Sequence, residues 1–134
     1  MKLNHYQVVT LCGSTKFKAA FEEWNVRLTL EGAVVLSIVI PSHSYGLSWT
    51  DEEKGALDTA HLQKIDLSDE IFVLDIGGYI GESTAREIAH AKSKGKIIRY
   101  LSGEHPEWDE SQCRYGRATE KESIIQQKTH PEGN

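Results

Sequence analysis

The stretch EIFVLDIGGYIGESTAREIAHAKSKGKIIRYL, residues 70–101, decides how the whole chain is read. It opens on a run rich in branched and aromatic residues, Glu70 to Ile76, which reads as a buried strand. Gly77, Gly78 and Gly81 interrupt the run and give way to the hydroxyl residues Ser83 and Thr84. A helix from about Thr84 to Lys94 follows, stopped by Gly95. Lys96 to Leu101 (KIIRYL) is strand-like again. A strand feeding a turn, a helix and a second strand is the unit from which parallel sheets are built.

Toward the N-terminus the pattern repeats. Val8 to Cys12 (VVTLC) is a short strand ended by Gly13 and Ser14. Phe17, Phe21, Trp24 and Leu28 recur at helical spacing and make one apolar stripe, and Gly32 is placed to end that helix. Ala33 to Ile40 (AVVLSIVI) closes at Pro41 and reads as a second strand buried on both faces. Pro41 to Trp49 is a loop, and Asp51 to Lys64 is a polar helix. The expected fold is α/β, a Rossmann-like or flavodoxin-like three-layer sandwich around a parallel sheet of four to five strands. It fills residues 1–101. Residues 102–134 are polar and form a C-terminal extension, partly disordered or docked on a neighbouring subunit through Trp108 and Tyr115. A short helix is expected near Thr119 to Gln127.

The composition narrows the class. The chain has 134 residues, 39% hydrophobic and 26% charged, with a formal net charge of -5. The size fits one core. The acidic balance argues against a nucleic-acid polymer as the main partner, since phosphate contacts want a basic surface. No apolar run approaches the roughly 20 residues that span a bilayer, and no signal peptide is visible, so a cytoplasmic location is expected. Cys12 and Cys113 do not make a disulfide framework, and Cys12, inside an apolar run, reads as a small buried hydrophobe. The histidines show no metal-ligand spacing with cysteine, so neither a metal nor a cofactor is expected.

In parallel α/β sheets ligands bind beyond the carboxyl ends of the strands, which makes the turns after the strands the candidate site. Gly13, Ser14, Thr15 and Lys16 follow the first strand. Glycine lets a ligand close to the backbone, the hydroxyls and free amides hold an anion, and Lys16 adds charge. The plainer reading is that Ser14 or Thr15 only caps the helix. After the third strand come Asp75, Gly78, Tyr79, Gly81, Ser83, Thr84 and Glu87. Thr84-Ala-Arg-Glu87 fits a capping box, which would leave Glu87 a structural role. Against that stand the glycines and Asp75, since two carboxylates beside an anion-binding turn suit chemistry at the anomeric carbon of a sugar. His43, Tyr45 and Trp49 offer aromatic surface in the loop after the second strand.

The run HLQKIDLSDEIFVLDIGGYIGESTAREIAHAKSKGKIIRYL, together with CGSTKF near the start, resembles the nucleoside 2-deoxyribosyltransferase-like superfamily, which includes the 2'-deoxynucleoside 5'-monophosphate N-glycosidases. The likeness runs over roughly residues 6 to 101 and is nearest to small bacterial and phage members. It implies that Glu87, in EIAHA, is a nucleophile that forms a covalent glycosyl-enzyme. It implies that Ser14, Thr15, Lys16 and Ser83, with Thr84, hold a 5'-phosphate. Members of the family often carry an aspartate before the third strand that assists the base or sugar. The candidates here are Asp58, Asp66 and Asp69, with Asp66 taken as the catalytic partner, and His61 stands at the matching spacing. The family's tyrosine on the first strand is replaced by Leu11, with Tyr79 or Tyr45 as substitutes. The resemblance also implies a homodimer or higher homo-oligomer.

The leading expectation is therefore an N-glycosidase acting on a nucleoside or deoxynucleoside 5'-monophosphate. Alternatives are a nucleoside 2-deoxyribosyltransferase, which moves the sugar to another base, and a phosphoribohydrolase, whose P-G-G-x-G-T-x-x-E motif is similar to Gly77 to Glu87. From another class, a nucleotide-binding module without turnover would keep Ser14, Lys16 and Ser83 but make no chemical use of Glu87.

Overall fold

A computed structural model describes residues 6–39 and 48–116. Four strands form one sheet, β1 (Val8–Cys12), β2 (Val34–Leu36), β3 (Glu70–Val73) and β4 (Ile97–Tyr100). All pair in parallel, in the order β2-β1-β3-β4. The helices α1 (Lys18–Leu30), α2 (Asp51–Leu67) and α3 (Glu82–Ser93) make the crossovers, and a short α4 (Leu101–Glu104) follows β4. Among the described residues no helix is long and apolar enough to cross a membrane.

Strand alternation divides the core in two. Val9 and Leu11 on β1, with Phe72 on β3 and Leu74 just after it, face α1 and meet Phe21, Trp24 and Leu28. Cys12, Ile71 and Val73 face the other way and meet Ile65 of α2 and Ile88 and Ala91 of α3. This is the expected three-layer sandwich. The stripe on α1 is buried as its spacing predicts, with one addition that the spacing conceals: Glu23 is also fully buried there.

The second strand departs from expectation. It is only three residues long and lies at the edge of the sheet, with Val34 42% and Val39 51% exposed. An edge strand buries less than a central one, so the apolar run AVVLSIVI does not mean burial on both faces. Lys64 of α2 reaches across to donate from Nζ to the Ser37 carbonyl at 2.6 Å.

The polar extension also departs. Trp108 packs edge-on to Trp24 with ring centroids 5.6 Å apart, and Cys113 joins the same core. Glu23 accepts the backbone N–H groups of Arg114, Tyr115 and Gly116, which lays the segment over α1. A Cβ on Gly116 would stand 1.9 Å from the Ala19 carbonyl oxygen, so no side chain fits there. The first core therefore runs past residue 101, and Trp108 docks on its own chain. The expected helix near Thr119 lies outside the described residues.

Candidate functional site

The strand order reverses between β1 and β3, and the space beyond their carboxyl ends is a cavity of about 520 Å³. Four elements wall it. The turn after β1 gives Gly13, Ser14 and Thr15, and the segment after β2 gives Ile38 and Val39. Helix α2 and the residues just before it give Trp49, Lys54, Asp58, His61 and Lys64, and the start of α3 gives Gly81 to Thr84 and Glu87.

The start of α3 takes Glu87 out of the role of a cap. The helix begins at Glu82, with Gly81 as an N-cap that has no side chain to offer. Glu87 is thus the sixth helical residue, a full turn and a half inside, and the Thr84-to-Glu87 capping box does not form. The box in this chain is instead Thr50 and Glu53 at the start of α2, each bonding the other's backbone N–H at 3.0 Å. Freed from capping, Glu87 points at Cys12 and His61. Its Oε1 lies 3.7 Å from His61 Nε2, which is 3.5 Å from Cys12 Sγ.

This trio is largely dry. Cys12 is wholly buried and His61 is 5% exposed, although α2 is a polar helix. Burial pushes the Glu87 carboxyl up to about 7, with the charge of Asp58 adding to the rise, while Cys12 and Arg86 oppose it. Burial, helped by Lys64, drives His61 down to about 4. Burial and the nearby Glu87 charge raise the Cys12 thiol well above its ordinary value. Near pH 5.5 the exchangeable proton of the pair therefore sits on the carboxyl and not on the imidazole. His61 Nδ1 is buried and has no partner among the described residues.

The other expected site residues divide sharply. Ser14 accepts the Lys16 N–H and caps a 3-10 turn over Thr15–Phe17, the plainer role foreseen for it, while still lining the cavity. Lys16 does not line the cavity; its Nζ sits 3.5 Å from the centroid of Tyr79. Tyr79 is spent in that contact. Gly77 and Gly78 adopt φ of 65° and 80° to make the turn after β3, and a Cβ on either would meet nothing within 4 Å. They make the turn's backbone geometry, and of the three glycines only Gly81 lines the cavity.

Asp75 does not pair with Glu87. Its two oxygens accept the Ser102 N–H at 2.9 Å and the Ser102 hydroxyl at 2.6 Å, fastening β3 to α4. Asp66 is likewise no partner. It bonds His90 Nε2 at 2.8 Å away from the cavity, with its side chain 43% exposed. Asp69 accepts the Val8 N–H and is structural. Of the aspartates considered, Asp58 is the one on the cavity wall. His43 and Tyr45 lie outside the described residues, whereas Trp49 lines the cavity and is 39% exposed. Sequence reasoning missed Cys12, Lys54 and Lys64. The lysines give the cavity the positive charge that was assigned to Lys16.

No family model matches the chain, and no curated protein matches it.

Proposed function

We propose that the protein is an N-glycosidase of nucleoside 5'-monophosphates, with Glu87 as the nucleophile. The observation that carries this reading is the placement of a desolvated carboxylate on the wall of a cavity that a turn of glycine and hydroxyl residues also lines. In this reading the phosphate lies against Gly13, Ser14, Thr15 and the uncapped first turn of α3, near Lys54. The base lies against Trp49, Ile38 and Val39, with Asp58 within reach of its polar edge.

The reaction follows from these positions. A carboxylate oxygen of Glu87 attacks C1' of the sugar as the C1'–N bond to the base breaks, and the departing base nitrogen takes up a proton from solvent, which the attacking water gives back in the second step. Water then attacks C1', the ester to Glu87 breaks and sugar phosphate is released. A base in place of water would give transfer. The low-dielectric setting that raises the Glu87 pKa also strips its hydration, which strengthens it as a nucleophile once ionised.

The test is release of free base from a panel of ribo- and deoxyribonucleoside monophosphates and free nucleosides, with and without an acceptor base, for wild type and Glu87→Gln. Release from monophosphates that Glu87→Gln abolishes while nucleotide still binds is the expected result. Binding without release in wild type would leave a nucleotide-binding module. The pH profile tells nucleophile from acid. As a nucleophile Glu87 gives kcat/KM that rises through about pH 7, whereas as a general acid it gives the opposite slope.

A further inference from the structure

Cys12, His61 and Glu87 come from β1, α2 and α3, and their donor atoms all lie within 4.8 Å of one another. We propose that Cys12 Sγ, His61 Nε2 and Glu87 Oε1 are the three protein ligands of a site for a divalent cation of the Zn²⁺ class, with the fourth coordination position opening on the cavity.

The geometry is close to what such an ion requires. A Zn–S bond of about 2.3 Å and a Zn–N bond of about 2.0–2.1 Å at a tetrahedral angle put sulfur and nitrogen about 3.5 Å apart. Cys12 Sγ and His61 Nε2 are 3.5 Å apart. The same construction puts nitrogen and oxygen about 3.3 Å apart, and His61 Nε2 to Glu87 Oε1 is 3.7 Å, a gap that a small rotation of the glutamate side chain closes. Charge also favours the ion. A thiolate, a carboxylate and a neutral imidazole sum with a dication to zero, so a buried cluster of this kind carries no net charge. The thiol proton, and the carboxyl proton where Glu87 carries one, leave to solvent as the metal enters.

The donor set selects the ion. One sulfur, one imidazole nitrogen and one carboxylate suit Zn²⁺ or Co²⁺, while Mg²⁺ and Ca²⁺ want oxygen throughout. Three protein ligands and an open fourth place are the pattern of an exchangeable or reactive site and not of a closed structural one. His61 and Glu87 both line the cavity, so the open place faces it. With Nε2 on the metal, His61 Nδ1 carries its hydrogen with no acceptor among the described residues.

The metal site does not depend on the glycosidase reading, but the two compete for the Glu87 carboxylate. If Glu87 is the nucleophile, Zn²⁺ is an inhibitor that nucleotide and chelator each relieve.

The test uses the untagged full-length chain, purified with chelator, then titrated with Co²⁺ alone. The expected result is a sulfur-to-cobalt charge-transfer band with one-to-one stoichiometry, bleached by Zn²⁺. Cys12→Ser should remove the band, and Glu87→Gln should weaken binding by about 10-fold or more. Circular dichroism checks that both variants are folded. X-ray absorption on Zn²⁺-loaded wild type needs no variant and should find one sulfur with nitrogen and oxygen ligands. No thiolate band at saturating Co²⁺, a band that survives Cys12→Ser, or a zinc shell without sulfur would each overturn the proposal. Base release and its Zn²⁺ sensitivity are measured separately, so failure of the glycosidase reading leaves the metal result standing.

Discussion

Glu23 on α1 and Glu87 on α3 pack against opposite faces of one sheet, and each is withdrawn from water. Around Glu23, burial by itself would raise the carboxyl. The N–H groups of Tyr115, Gly116 and Arg114 and the Arg27 guanidinium outweigh it and hold the group below its ordinary value. Around Glu87 the order is reversed: burial wins, because its neighbours are a thiol, a neutral imidazole and the charge of Asp58. The same side chain is a fastener held in its charged form where donors converge on it, and is pushed toward its neutral form where they do not.

The largest expected effect separates function from folding at Glu87. Glu87→Gln should lower base release by about 10³-fold or more while leaving the thermal transition in place. A variant that unfolds instead would make Glu87 a second fastener and collapse the contrast. Next comes Glu23→Ala. It leaves three backbone N–H groups and Arg27 facing an empty space, and should cost about 3–5 kcal/mol in denaturant unfolding. A loss below about 1 kcal/mol would mean that the clasp over α1 contributes little.

The pH dependence of stability gives a third effect. Glu87 titrates near 7 in the fold against 4.5 when exposed. Its favourable contribution is therefore complete below pH 4.5 and lost as pH rises through about 7, up to about 3 kcal/mol. His61, near 4 in the fold against 6.5, works in the opposite direction: its contribution is complete above pH 6.5 and lost as pH falls through about 4. Between 4.5 and 6.5 the two slopes oppose each other. Metal-free Glu87→Gln should therefore be more stable than wild type at pH 8. It should also show a steeper acid-side loss, because His61 then acts alone. Urea midpoints across pH 4–8 test both points. The smallest effect is at the surface: Tyr79→Ala removes the ring under Lys16 and should cost about 0.5–1 kcal/mol, with base release kept within about 10-fold.

How much of this was legible in the sequence varies with how local the signal is. Val8–Cys12 is bounded by its own residues, an apolar branched run closed by Gly13, and its limits were readable as they stand. The run after Gly32 was misread because composition does not tell an edge strand from a central one; position in the sheet does, and that is set by the other strands. The helix after Ile80 was placed two residues late because Thr84-Ala-Arg-Glu87 mimics a capping box, while Gly81 supplies the true start. Cys12, His61 and Glu87 are far apart in sequence, and only the fold brings them together; no spacing rule along the chain could find them. Glu23 was concealed by the opposite problem. A charged residue in an apolar stripe reads as a flaw in the stripe until its donors, from the far end of the chain, are in place.

Those donors lie 91 to 93 residues downstream of Glu23. During synthesis α1 and every strand of the sheet leave the ribosome before them. A nascent chain can thus assemble β1 to β4 and still leave Glu23 with Arg27 alone as its partner at the boundary of its larger core. Closing that core waits on residues 114–116, so this late-made segment sets when the first helix can finish folding.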